Sequence, residues 1–151
     1  MAQSLSRLWT HLIFSTKNRF PFLRDKILRA EMHAYLAQML RQHDCETRIV
    51  GGVDDHVHAL FALSRTLPIA SVVKEIKRTS SGWIKQTSRR YSNFYWQGGY
   101  AALSVSQSNL HRVVRYIENQ EEHHKRVTFK DEYRAFLDAH EIDYDERYVW
   151  D

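Results

Sequence analysis

CETRIVGGVDDHVHALFAL, residues 45–63, contains two apolar-rich runs on either side of GGVDD. Paired glycines followed by paired aspartates are turn chemistry, so the stretch predicts a β-hairpin. The returning run carries His56 and His58 one residue apart. Strand side chains alternate, so both imidazoles share one face, while Val57, Ala59, Phe61 and Leu63 take the other. Two imidazoles a few ångströms apart can form half of a metal site. Two histidines hydrogen-bonded near a turn would give the same spacing, and the spacing leaves both explanations open.

Working outward, residues 8–15 read as a strand that KNRFPFLRD, with Pro21, brings to an end. From about 25 to 43, Ile27, Leu28, Met32, Tyr35, Leu36, Met39 and Leu40 recur at threes and fours. That spacing predicts an amphipathic helix, and Asp25 is placed to cap it. Beyond the hairpin, Pro68 opens a second helix near Ile69, with Val72, Val73, Ile76, Trp83 and Ile84 on its apolar side. TSSG, residues 79–82, marks a weak spot or bend in it. NFYWQGGYAALSVS, residues 93–106, holds β-prone pieces around Gly98 and Gly99. A third helix follows from about residue 106 or 108 to 124, and a shorter one lies near 131–140. The order is that of an α+β, ferredoxin-like split β-α-β-β-α-β antiparallel sheet with an added C-terminal helix. Helices on one side of the sheet and a central hairpin are expected.

The 151 residues suit a single domain, 1–151, with a real core. Hydrophobic residues at 43% and charged residues at 26% are those of a globular chain and exclude a disordered one. A single cysteine, Cys45, excludes an internal disulfide and reads as a buried structural thiol in a reducing compartment. No apolar run approaches the ~20 residues of a membrane span. The opening residues lack the order of a signal peptide, so a cytoplasmic protein is expected. Charge is unevenly placed. Residues 65–90 carry seven Lys/Arg against Glu75 alone, whereas residues 118–151 carry eleven Asp/Glu against five Lys/Arg. A basic middle and an acidic tail, from about 125 to 151, point to a polyanionic partner for the middle or to a solvated helix face.

The third helix, SNLHRVVRYIENQEEHHK (residues 108–125), has Leu110, Val113, Val114 and Ile117 as its apolar stripe. Tyr116 and Gln120 lie four apart on the shoulder of that stripe. A half-exposed tyrosine there is ordinarily amphipathic packing. Arg112, one turn before Tyr116, could hold phosphate or lower the phenol's pKa. His123 and His124 read as solvent-exposed, with one of them able to flank a metal, and His11 as a packing or DNA-contact residue.

A His-x-His strand followed by a helix bearing Tyr-x-x-x-Gln, in a small, basic, split-βαβ chain, resembles the HUH nucleases. More narrowly, it resembles the single-tyrosine transposases of bacterial and archaeal insertion sequences and their REP-associated kin. The likeness rests on HLIFSTKNRFPFL (11–23), GGVDDHVHALFAL (51–63), IKRTSSGWI (76–84), YWQGGYAALSVS (95–106), YIENQEEHH (116–124) and YDERYVW (144–150). Gly99 and Ala101 depart from it, where other members often carry a bulkier or charged residue and a glycine. The resemblance implies that His56 and His58 bind a divalent metal, Mg²⁺ or Mn²⁺, with Gln120 as third ligand. It implies Tyr116, on a helix of about 108–124, as a nucleophile forming a 5′-phosphotyrosine. It further implies single-stranded DNA with hairpin ends as substrate, and a homodimer whose subunits share their active sites. Lys74, Lys77, Arg78 and Lys85 of the second helix would then meet backbone phosphates. Trp83, Tyr95, Trp96 and Tyr100 would stack on bases or fill the core.

Two other functions fit parts of the sequence. A ferredoxin-like nucleic-acid-binding regulator without catalysis would leave the His, His, Tyr and Gln set unexplained. A small metal-dependent hydrolase using His56, His58 and Asp54 or Asp55 would leave Tyr116 without a task.

Overall fold

The computed structural model describes residues 2–151. Strands β1 (Trp9–Ser15), β2 (Glu46–Gly52), β3 (His56–Ala62) and β4 (Ala101–Ser104) form one antiparallel sheet in the order β2-β3-β1-β4. Helix α1 (Lys26–Gln42) joins β1 to β2, and α2 (Ile69–Thr87) joins β3 to β4. The split β-α-β-β-α-β order expected from the sequence is therefore present. Helices α3 (Leu110–Glu118), α4 (Gln120–His123) and α5 (Phe129–Ala139) follow it.

Local chemistry accounts for these boundaries. The Asp25 carboxylate accepts from the backbone N–H groups of Ile27 and Leu28 at 2.9 and 3.2 Å, capping α1. Leu28, Met32, Leu36, Met39 and Leu40 form the buried stripe of α1, while Ile27 faces solvent. Residues 79–82 do not break α2, which runs through them from Ile69 to Thr87, and the Thr79 and Ser80 hydroxyls find partners. Thr79 donates to the Glu75 carbonyl, Ser80 donates to the Lys77 carbonyl, and the buried Trp96 Nε1–H donates to Ser80 Oγ at 2.9 Å. Gly52 closes β2 at φ 147°, where an added Cβ would lie 2.2 Å from the His56 carbonyl oxygen, so only glycine fits.

The sheet is covered on both faces, not on one. Leu12 and Phe14 of β1 and Val57, Ala59 and Phe61 of β3 pack under α1 and α2, with Cys45 buried among them. On the other face, Trp9, Leu60 and Ala62 meet Leu110 and Ile117 of α3, while Ile13, Ala101 and Leu103 meet Phe129, Tyr133 and Leu137 of α5. Only the β3 half of the hairpin is central, and β2 lies at the sheet edge. The third helix is also not continuous. It stops at Asn119 (φ −96°, ψ 18°), and the short α4 restarts at Gln120.

Candidate active site and metal centre

The second face of β3 carries His56 and His58, both fully buried. Antiparallel register sets Ser15 opposite His56, Ile13 opposite His58 and His11 opposite Leu60, so His11 lies diagonal to His58. Its Nε2 is 2.8 Å from His58 Nδ1. His56 Nδ1 is 2.6 Å from the Asp55 carboxylate, and His124 Nδ1 is 2.7 Å from the Val127 carbonyl. Each Nδ1 is thus tied outward, and each Nε2 turns to a common centre.

That centre holds the Glu132 carboxylate, delivered by α5. Its Oε1 lies 3.0 Å from His58 Nε2 and 3.4 Å from His56 Nε2, and its Oε2 lies 3.1 Å from His124 Nε2 and 3.2 Å from His123 Nε2. Gln120 reaches both sides of the cluster. Its Oε1 is 3.1 Å from His56 Nε2, and its amide donates to Glu132 Oε2 at 3.2 Å. The Tyr116 hydroxyl donates to Glu132 Oε2 and lies 3.1 Å from His123 Nε2. All these groups belong to one chain, and the Tyr116 and His58 ring centres are 5.7 Å apart. Beside the phenol opens a cleft of about 560 Å³ lined by Arg112, Arg115, Tyr116, Glu118, Asn119 and His123.

Electrostatics follow from burial and partners. Burial opposes ionisation of Glu132, but hydrogen bonds from His124, His56 and His58 outweigh it and hold the carboxyl far below the usual range. Burial likewise disfavours a charged His56, yet its bonds to Asp55 and Glu132 push it up to about 9. Burial lowers His58 to about 4 and His11 to about 3. Tyr116 is raised well above a free phenol, first by burial and then by the neighbouring Glu132 charge.

The donor set fits a divalent cation. One ligand atom from each of His56, His58, His124 and Glu132 lies within 4.8 Å of the others. The outward Nδ1 partners are the supports that metal-binding imidazoles need. Asp55 is one of these supports and faces away from the centre, which removes it as the third donor of a hydrolase.

Depth of α3 over the sheet is set at Gly51. A Cβ there would come within 2.8 Å of the Ile117 side chain and 3.1 Å of its carbonyl oxygen. The bare backbone lets the turn bearing Tyr116 settle against β2.

Sequence reasoning placed His56, His58, Tyr116 and Gln120, and the structure gathers these four. It missed Glu132, it favoured solvent exposure for His124 over the metal-flanking place the structure gives it, and it gave His11 no part in orienting His58. A signal for Glu132 was present. Phe129, Glu132, Tyr133, Phe136 and Leu137 follow i, i+3, i+4, i+7, i+8, so the glutamate interrupts a core-facing stripe rather than lying on a solvated face. The segment of about 125–151 is therefore no mere acidic tail, since it closes the centre.

The basic helix fares differently. α2 packs on the sheet face opposite the histidines. Lys77 Nζ donates to the Gln97 and Gly99 carbonyls at 2.8 and 2.7 Å, and burial pushes it down to about 8. Arg78 pairs with Glu75 at 2.7 Å. Lys85 Nζ sits 4.3 Å over the Tyr95 ring, and Lys74 is exposed. Trp83 stacks on Tyr35 and Trp96 is buried, so both serve packing, while Tyr95 remains exposed. Arg112 alone of the expected DNA contacts lines the cleft at Tyr116.

Known proteins agree with this architecture. The model of the family described as "Transposase IS200 like" matches residues 4–120. A crystal structure assigned as a transposase of Deinococcus radiodurans R1 is 25% identical, with a TM-score of 0.61 over 80% of this chain and 95% of that one. A REP-associated tyrosine transposase bound to a REP hairpin, 16% identical, shares the fold with a TM-score of 0.60 over 84% of this chain and 76% of that one. No curated protein matches the sequence.

Proposed function

Because the chain belongs to the IS200-like transposase family, we propose that it cleaves and rejoins single-stranded DNA through Tyr116, acting as one catalytic unit over residues 1–151. One observation carries this reading. The Tyr116 hydroxyl bonds the same carboxylate on which the Nε2 atoms of His56, His58 and His124 converge. A nucleophile and a cation site thus adjoin one another.

Tyr116 Oη attacks phosphorus in line with the departing 3′ oxygen. The new P–O(Tyr116) bond replaces the P–O3′ bond, leaving a 5′-phosphotyrosine and a free 3′-OH. The Tyr116 hydroxyl is held by a hydrogen bond to Glu132 Oε2, and over the whole exchange the proton that leaves the phenol is matched by the one that the departing 3′ oxygen takes up. One ester is exchanged for another, so a second 3′-OH can reverse the step without an energy source. His56 and His58 would hold the divalent metal with Gln120, whose Oε1 lies beside His56 Nε2, as third ligand, and His124 and Glu132 would complete the donor set. When bound, that ion supplies positive charge that polarises the phosphate and offsets the Glu132 charge opposing phenolate formation. Imidazole-rich donors favour Mn²⁺ over Mg²⁺. Arg112 and Arg115 line the cleft where the strand would approach Tyr116.

Hairpin ends of an insertion sequence are the proposed substrate, met in the cytoplasm. Among the described residues no helix is long and apolar enough to cross a membrane. Tyr116 adjoins the histidines of its own chain, which favours a site complete within one subunit. A homodimer that exchanges tyrosine helices is the competing arrangement. Mixing Tyr116→Phe with His56→Ala protein separates them, since only exchange restores activity.

The deciding experiment incubates labelled single-stranded DNA with protein and Mn²⁺ or Mg²⁺ and resolves products on a denaturing gel. A covalent adduct absent in Tyr116→Phe supports the reading. Cleavage that survives Tyr116→Phe indicates a hydrolase. A non-catalytic regulator is the second reading, and binding without any adduct supports it.

A further inference from the structure

A cavity of about 670 Å³ lies between the segment joining β1 to α1 and the turn after α2. Phe20, Arg24, Ile27 and Arg90 are among its walls. An aromatic ladder climbs to it from the core. The buried Phe94 ring is 5.0 Å from Phe22, and Phe22 is 4.6 Å from Phe20. Phe20 is 56% exposed, Ile27 75% and, next door, Tyr95 57%. Among the described residues no apolar side chain covers the outer faces of Phe20 and Ile27.

The surroundings are cationic. Residues 16–27 and 85–95 carry seven Lys/Arg against one acid, Asp25, whose carboxylate is occupied in capping α1. Lys85 and Lys17 stand 4.3 and 5.9 Å from the Tyr95 ring centre. Exposed aromatic rings amid a surplus of cations suit a polyanion that offers flat apolar groups, which describes unpaired nucleic acid. A duplex hides its base faces, and an acidic peptide offers few such rings.

This surface adjoins the catalytic end of the sheet. Leu23 N–H donates to the Asp54 carbonyl and Thr16 N–H to the Asp55 carbonyl, just before His56. Arg29 and Lys26 reach Glu121, the neighbour of Gln120, at 3.2 and 3.8 Å. We propose that it holds the single-stranded segment flanking the scissile phosphate, with a base stacked on Phe20 and phosphates on Arg24 and Arg90. The proposal rests on the strand-cleaving function above and names a part of the substrate that the Tyr116 cleft does not reach.

Fluorescence anisotropy with labelled oligo(dT) tests it on the full chain, with thermal melts confirming that each variant folds. Phe20→Ala is expected to weaken binding about tenfold, in the range of one base–aromatic stack. Arg90→Ala is expected to reduce the slope of log K against log salt by about 0.7, one single-strand phosphate. Photocrosslinking of 5-iododeoxyuridine oligonucleotides should map to Phe20, Phe22 or Tyr91. Unchanged affinity in both variants, or equal binding of blunt duplex, overturns the proposal. Loss of affinity confined to Arg112→Ala and Arg115→Ala also overturns it, while leaving the function standing. Should the wild type form no Tyr116 adduct yet lose affinity in Phe20→Ala, this surface stands as a strand-binding site and the catalytic reading fails.

Discussion

The two faces of β3 differ by one residue step and by everything else. Val57, Ala59 and Phe61 face a dry core under α1 and α2, where any well-fitting apolar group would serve. His56 and His58 face polar partners from β1, the turn before β3, α4 and α5, where each nitrogen has a named neighbour. Buried polar groups are costly unless all are satisfied. The first face therefore specifies shape, and the second specifies chemistry at some expense of stability.

Paired substitutions should break that comparison cleanly if it is wrong. Phe61→Ala on the dry face should cost about 3–5 kcal/mol in denaturant unfolding. His58→Ala should cost about 1–3 kcal/mol, the penalty of leaving buried partners unpaired, while adduct formation falls below detection. Equal stability losses would show that the histidine face is structural.

A subtler split is expected at His11. Histidine-supporting partners typically alter metal affinity by about 10–100-fold, so His11→Leu should weaken Co²⁺ binding, followed by absorbance, by that range. His11→Gln, which can still bond His58 Nδ1, should recover most of it. Failure of both variants alike would assign His11 to packing.

Acidity sharpens the contrast further. In metal-free protein the folded His56 pKa of about 9 exceeds its ordinary 6.5. Its stabilising contribution is thus complete below pH 6.5 and is lost as pH rises through about 9. Urea midpoints should fall across that window, and His56→Gln should flatten the fall. On the other face Lys77, lowered by burial from 10.5 to about 8, adds a slope of the opposite sign, with stability rising as pH passes from about 8 towards 10.5.

The smallest effect is expected on α2. Lys74→Ala and Arg78→Ala, on the far side of the sheet from the cluster, should change oligonucleotide affinity by no more than about threefold in low salt. A tenfold loss would move the DNA path to that face.

Legibility followed the same division. The stripes of α1 and α2 and the alternation of β3 are periodic, and period is what a sequence displays directly. His56, His58, Tyr116 and Gln120 were legible as a pattern of types at fixed spacing. Glu132 was legible only as a break in the apolar stripe of α5, and its role was not, because its acidic neighbourhood resembles a solvated surface and its partners lie on other elements. The break at Asn119 was hidden as well, since Leu110 to Ile117 and Gln120 to His124 fit one uninterrupted helix by spacing. Helices on both faces of the sheet could not be counted until α5 was seen to bury Phe129 and Tyr133.

The imidazole–carboxylate cluster draws its members from β1, β3, α4 and α5, in that order along the chain. A ribosome must synthesise past Glu132 before the last of them can fold back onto the sheet. The nascent protein therefore emerges with this cluster unassembled, and the site closes only when α5 is free to pack against the sheet.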